Sequence, residues 1–213
     1  VQNGWDDIVG LEKSAIPTDI GSTSHASDFC YMTSHDKLNV FTSTYSREFY
    51  KSRGNFIEIG GMEVARKGDD AQVQELLRKV ASGKAFGTNV RMITAAEAKE
   101  RFPLLEEDTI ECAMWDPDAG LVTPRSQKVA GDLVDEAVAA GKLQAFPYTP
   151  AEEIIVENGR AVGVKTAKGT IMADHVVLCV GIWGSLVSET ANVKLPLMPV
   201  EHPLLFFGPW DAL

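Results

Sequence analysis

Five successive apolar residues, Val176-Val177-Leu178-Cys179-Val180, follow His175 with no polar residue among them. A run that is short and does not alternate is what a strand covered on both faces of a parallel sheet looks like. The preceding stretch is of another kind. Residues 153–156, 161–166 and 170–173 alternate or nearly so, and Asn158-Gly159 and Lys168-Gly169 stand between them as turns. Asn-Gly is the strongest short hairpin signal, so the stretch predicts an antiparallel meander leading into a buried strand at 175–180. A meander and a buried strand in one chain point to a mixed α/β fold that combines parallel and antiparallel sheet.

Helices alternate with these strands. In 70–82, Val73, Leu76, Leu77 and Val80 fall on one face, and Gly83 is the expected stop. Thr94 with Glu97 predicts a capping box for a short helix that Pro103 ends. Residues 125–140 predict another helix, with Val129, Leu133, Ala137 and Val138 inward and Gly141 as its stop; 36–51 reads as a weaker one. Residues 57–65 read as extended, interrupted by Gly60-Gly61. Near the start, Ile8-Val9-Gly10-Leu11 is a short buried-type strand ending in Glu12. Val1 to Asn3 read as the last turn of a helix stopped by Gly4, which predicts an earlier strand and most of a helix before Val1 in a longer parent protein.

The formal net charge of -10 repels phosphate backbones and argues against a nucleic-acid partner. No apolar run reaches the roughly 18 residues that span a bilayer, so no membrane partner is expected. The three cysteines, Cys30, Cys112 and Cys179, are odd in number and lack ligand spacing, which fits a reduced, cytoplasmic protein. The acidic pairs at 69–70 and 106–108 have no His or Cys beside them, so no metal site is expected. His35 and His175 read as exposed residues at element ends.

Three places carry chemistry. An acid at the tip of a buried strand, here Glu12, can accept both hydroxyls of an adenosine ribose, although taken alone it reads more simply as a surface residue. Gly21-Ser22-Thr23-Ser24-His25-Ala26-Ser27 is a tight run of small side chains. Such a run lets backbone approach a ligand closely, and its histidine can offer a neutral nitrogen as nucleophile. Without a family to set it in, the plainer reading is a polar surface loop in which His25 does nothing. The third is His202, after Pro196-Leu197-Met198-Pro199-Val200-Glu201, which reads either as a base with pKa near neutrality or as a structural residue.

Several segments together resemble the dimethylglycine/sarcosine dehydrogenase and oxidase branch of the D-amino-acid-oxidase-type flavoproteins. They are Leu11-Glu12-Lys13-Ser14, the Gly-Ser-Thr-Ser-His-Ala loop at 21–26, Gly60-Gly61-Met62-Glu63-Val64-Ala65, the WDPDAGLVTP stretch at 115–124 and the VVLCVGIWG stretch at 176–184. The resemblance covers essentially the whole chain. It implies a Rossmann-like FAD-binding domain of glutathione-reductase type, in segments 1–55 and 120–190. It also implies part of an antiparallel-sheet substrate domain, in 56–119 and 191–213. The flavin would be joined covalently through its 8α-methyl carbon to His25, which raises its potential and prevents its loss. Cofactor contacts are implied at Glu12, Lys13, Gly21, Ser22, Thr23, Ser24, His25, Ala26, Ser27, Phe29, Ala151 and Trp183, and a catalytic base at His202. The implied reaction is oxidative demethylation of an N-methyl amino acid such as dimethylglycine or sarcosine, with oxygen or an electron-transfer flavoprotein as acceptor. The implied location is the cytoplasm, or the mitochondrial matrix in a eukaryote.

The chain departs from the family pattern. The glycine-rich phosphate loop is absent from this sequence. Ser27 and Asp28 stand where a glycine is usual, and a bare carboxylate there would oppose flavin reduction by Coulomb repulsion of order 1 kcal/mol. Pro203 follows His202 where Gln and Tyr are usual. Two other readings stay open on this evidence. One is a non-catalytic relative, since the same architecture serves as a regulatory subunit of a mitochondrial phosphatase. The other is a segment inactive by itself.

Overall fold

A computed structural model describes residues 3–201 and 203. In chain order the elements are β1 (Ile8–Leu11), α1 (Ser22–His25), β2 (Phe29–Cys30), α2 (Lys37–Ser52), β3 (Phe56–Glu58), β4 (Gly61–Arg66), α3 (Asp70–Ala85), β5 (Arg91–Thr94), α4 (Ala95–Arg101), β6 (Ile110–Asp116), β7 (Gly120–Val122), α5 (Ser126–Ala139), β8 (Leu143–Phe146), β9 (Glu153–Glu157), β10 (Arg160–Thr166), β11 (Gly169–Met172) and α6 (Gly184–Glu189). They form two compact units, one built from residues up to Ser27 and from Gln127 onward, the other from Asp28–Ser126.

The Asp28–Ser126 unit has its core under an antiparallel sheet in the order β4-β6-β5. Helix α3 turns Leu76 and Val80 onto Ala65, Val90 and Met114. Fully burying side chains of this size contributes on the order of 2 kcal/mol each, so this cluster anchors the unit. Asp69 caps α3 through the Gln72 amide. Gly83 does not end the helix as predicted. It lies inside α3, where an added Cβ would come within 2.6 Å of Thr88 Oγ1 and 2.7 Å of Val90 Cγ1. Its missing side chain is a packing requirement, and the left-handed turn falls instead at Gly87, φ +89°. The Thr94/Glu97 capping box forms with both hydrogen bonds in place.

In the other unit β1 and β8 are parallel, in register from Ile8↔Leu143 to Leu11↔Phe146. Helix α5 lies between them in sequence, which makes it the crossover such a pair needs. Val129 on α5 is buried as expected, whereas Val138 is exposed at the last turn. The meander forms as β9-β10-β11, and Asn158 and Gly159 both take positive φ, as a type I′ hairpin turn requires. The predicted strand at 175–180 does not form. Among the described residues β1 and β8 pair only with each other, and nothing supplies a ladder to this run. Val177 is 78% exposed, while Val176 and Leu178 line a cavity of about 320 Å³ with Ile154 and Ala161. The alternation shows an apolar segment laid against the meander on one side only.

Candidate functional site

Glu12 follows the last residue of β1, and backbone bonds carry the ladder past the strand. Its amide donates to the Phe146 carbonyl at 3.1 Å and its carbonyl accepts the Thr149 amide at 2.7 Å. The Tyr148 amide then donates to the Ser14 carbonyl at 2.9 Å. The segment leading to Ala151 is thereby drawn alongside Glu12–Ser14, at the carboxyl ends of two parallel strands, where ligands of α/β folds bind. The Glu12 side chain is set by Ser14, whose amide (2.9 Å) and hydroxyl (3.1 Å) both donate to Oε1. Among the described residues nothing bonds Oε2, which leaves a fixed carboxylate with a free acceptor. Lys13 turns the other way and places Nζ 3.2 Å from the centroid of the Trp183 ring. A cation over an indole is worth about 0.5–2 kcal/mol, so the two residues hold each other's orientation. Glu12, Lys13, Ala151 and Trp183 are thus brought to one end of the sheet.

A cleft of about 240 Å³ opens beside Glu12, lined also by Thr18, Thr23, Gln127 and Leu143 among others. Thr23 belongs to α1, the single turn that carries Ser22 to His25. Gly21 organises that turn. Its carbonyl accepts from the Ser24 amide (3.2 Å), the Ser24 hydroxyl (2.8 Å) and His25 Nδ1 (3.1 Å). Nδ1 also lies 3.0 Å from the Ser24 oxygen. With the Ser24 hydroxyl donating to the Gly21 carbonyl, both oxygens can only accept from the ring, and the neutral tautomer that serves them carries its proton on Nδ1 and its lone pair on Nε2. The His25 ring is exposed, and among the described residues Nε2 has no hydrogen-bond partner. Ala26 is half-buried and Ser27 exposed.

Asp28 is not the bare carboxylate expected from the sequence. It is buried, takes φ +64°, and bonds the Ser126 amide (2.8 Å) and Arg125 Nε (2.6 Å). A left-handed φ is one that glycine adopts freely and Asp tolerates. Burial raises its pKa, but the Ser126 hydrogen bonds and the Arg125 charge outweigh that and hold the carboxyl below its ordinary value. A group with a depressed folded pKa stabilises the fold above its unfolded pKa, near 4, and loses that contribution as pH falls through the folded value. Asp28→Asn is therefore expected to narrow the stability difference between neutral and acid pH. Urea midpoints measured across pH 2–7 check this; parallel wild-type and variant curves would contradict it.

Phe29, on β2, packs edge-to-face on Tyr31 with centroids 4.9 Å apart and covers Gly61, where a Cβ would lie 2.4 Å from its ring. Cys30 is raised by burial and by the Asp28 charge, which keeps it an unreactive thiol. His202 lies outside the described residues. Sequence reasoning missed Asp116. It is fully buried and accepts the amides of Met32 and Thr33, both at 3.0 Å, and of Asp118 at 3.2 Å.

The family model described as FAD dependent oxidoreductase matches residues 1–213. The chain belongs to the FAD dependent oxidoreductase family. Human mitochondrial sarcosine dehydrogenase is 29% identical to this chain over 209 residues, 93% of this chain and 22% of that protein. The mitochondrial pyruvate dehydrogenase phosphatase regulatory subunit of Mus musculus is 26% identical over 218 residues, 98% of this chain and 24% of that protein. The chain therefore spans about a quarter of the length of these curated relatives. Among solved structures, L-proline dehydrogenase from P. horikoshii superposes with a TM-score of 0.73 at 24% identity, covering 89% of this chain and 56% of that one. The mixed α/β fold is thus that of FAD-dependent amine and amino-acid oxidoreductases.

The donor set fits the cofactor. A carboxylate with one oxygen anchored and the other open, at the carboxyl end of a parallel strand, suits two ribose hydroxyls. The turn of Gly, Ser and Thr beside the cleft presents small polar groups to a phosphate-bearing ligand. Among the described residues no helix is long and apolar enough to cross a membrane.

Proposed function

We propose that this oxidoreductase demethylates a secondary or tertiary N-methyl amine, dimethylglycine or sarcosine being the nearest substrates, with its flavin held covalently by His25. One observation carries the reading. Nδ1 is held by the Gly21 carbonyl and the Ser24 oxygen, which leaves the lone pair on Nε2. Bound flavin would accept a hydride from the carbon next to the amine nitrogen. The protein's own residues do the remaining work. Glu12 fixes the adenosine end, Lys13 and Trp183 brace the neighbouring wall, and His25 prevents cofactor loss. His202 is proposed as the base that keeps the substrate amine uncharged, because an ammonium cannot release hydride. In this reading the cofactor segments are 1–55 and 120–190 and the substrate segments 56–119 and 191–213. The acceptor is oxygen or an electron-transfer flavoprotein, and the location is the cytoplasm or the mitochondrial matrix.

A second reading has support of its own, since the phosphatase regulatory subunit aligns over 98% of this chain. In it the fold and cofactor site serve regulation. Anaerobic titration of the flavin-loaded protein separates the two. We expect dimethylglycine or sarcosine to bleach the visible absorbance of the oxidised flavin by at least about half. A spectrum unchanged with every N-methyl amine tried favours the regulatory reading.

A further inference from the structure

The loop that carries His25 is fastened at both ends to the first turn of α5. At its start Gln127 Nε2 donates to the Thr18 carbonyl at 2.7 Å. At its end the Asp28 carboxylate accepts the Ser126 amide at 2.8 Å and pairs with Arg125 at 2.6 Å. The Asp28 carbonyl in turn accepts the Val122 amide at 2.8 Å. Ser126 and Gln127 are consecutive, so two neighbouring residues hold the two ends of one loop. An acidic side chain on the amides that open a helix is favoured by the unpaired N–H groups there. Asp28 also supplies a left-handed backbone that turns the chain out of the loop and into β2.

We propose that Asp28 is the positioning residue of the His25 loop, its carboxylate fixing the chain three residues beyond the imidazole so that Nε2 is presented to the flavin 8α carbon. The inference rests on the covalent reading above. In that step a bond forms between Nε2 and the 8α carbon, and one methyl C–H and the imidazole N–H are lost as protons. The two electrons set free reduce the flavin, and dioxygen then takes them up with two protons as hydrogen peroxide. Bond formation requires the reacting atoms to be held about 3–3.5 Å apart, and misplacement by about 1 Å lowers such a rate by roughly 100-fold. Without the carboxylate this end keeps the Val122 bond and the pairing of β2 with β7, but loses its attachment to the start of α5. The carboxylate that looked like an electrostatic penalty in the sequence is a tether.

Asp28→Gly tests this, because glycine accepts the same positive φ and removes the side chain that bears the carboxylate. Apoprotein is mixed with FAD in air, and acid-stable flavin fluorescence is followed in time. Amide exchange of residues 21–27 is measured in the same apoprotein. We expect covalent incorporation to slow by about 30- to 100-fold and exchange in the loop to quicken at least about tenfold. Asp28→Asn, which keeps an oxygen for the Ser126 amide, should recover most of the rate, and it serves as the second variant if the glycine variant fails to fold. Wild-type protein with acid-stable flavin and an Asp28→Gly rate within about twofold of it overturns this inference alone. So does quickened exchange with unchanged incorporation. Wild-type protein without acid-stable flavin overturns the covalent reading and this inference with it.

Discussion

Replacing Asp116 by Ala is expected to lower the stability of the protein by on the order of 3 kcal/mol, the largest effect of any single polar substitution described above. The residue is fully buried, and its two oxygens accept three backbone amides, from Met32, Thr33 and Asp118. Removing the carboxylate leaves those donors without acceptors. Each buried unsatisfied amide costs about 1–3 kcal/mol, and partial access of water relieves some of it. Asp116→Asn keeps one acceptor oxygen but turns an NH₂ group toward the remaining donors, so it should recover only part of the loss. The urea midpoint, at unchanged slope, measures the effect. A shift equivalent to less than about 1 kcal/mol would show that these bonds are replaced by solvent.

The second large effect concerns the cofactor. In a His25→Ala background, where binding is reversible, Glu12→Ala is expected to weaken FAD binding by about 2 kcal/mol, roughly 30-fold in Kd. Ser14 fixes Oε1 from two donors and thereby aims Oε2. A hydrogen bond to a charged, already oriented group is worth about 1.5–3 kcal/mol, more than one to a mobile side chain. Ser14→Ala removes the hydroxyl while leaving the amide bond to Oε1, so a smaller loss of a few fold is expected. Quenching of flavin fluorescence on titration reads both. Equal affinity in the Glu12→Ala protein and its parent would remove Glu12 from the site.

Local chemistry explains what could be read in advance. The meander, α3 and the Thr94/Glu97 box are set by neighbours a few residues apart, so spacing alone indicates them. The run at 175–180 failed for the opposite reason. A buried strand is defined by what flanks it, and among the described residues this one has no ladder partner. At Gly83 the sequence predicts a helix stop because glycine usually is one; its packing against Thr88 and Val90 arises from chain that returns only after the helix. At Asp116, the bond to the Asp118 amide is an Asx turn that the WDPDAG stretch could have signalled. The bonds to Met32 and Thr33 come from more than 80 residues away and leave no trace in spacing.

The candidate site divides in the same way. The resemblance indicated Glu12, His25, Ala151 and Trp183 one at a time, and the fold draws Glu12, Ala151 and Trp183 to one end of a parallel pair. The Lys13–Trp183 contact and the Gly21 carbonyl that selects the His25 tautomer depend on three-dimensional placement. Asp28 shows how a residue type can mislead when its partner is distant in sequence. Read alone it is a charge that opposes flavin reduction, yet Arg125 neutralises it and Ser126 ties it down.

The most direct measurement is the flavin content of the protein after acid denaturation and exhaustive washing, for wild type and for His25→Ala. We expect the wild-type pellet to remain yellow, to fluoresce in a denaturing gel, and to yield a tryptic peptide containing His25 with the mass of FAD added. The His25→Ala pellet should be colourless. A wild-type pellet that releases all its flavin into the acid supernatant, or a His25→Ala pellet that retains it, would contradict the assignment of Nε2 as the nucleophile.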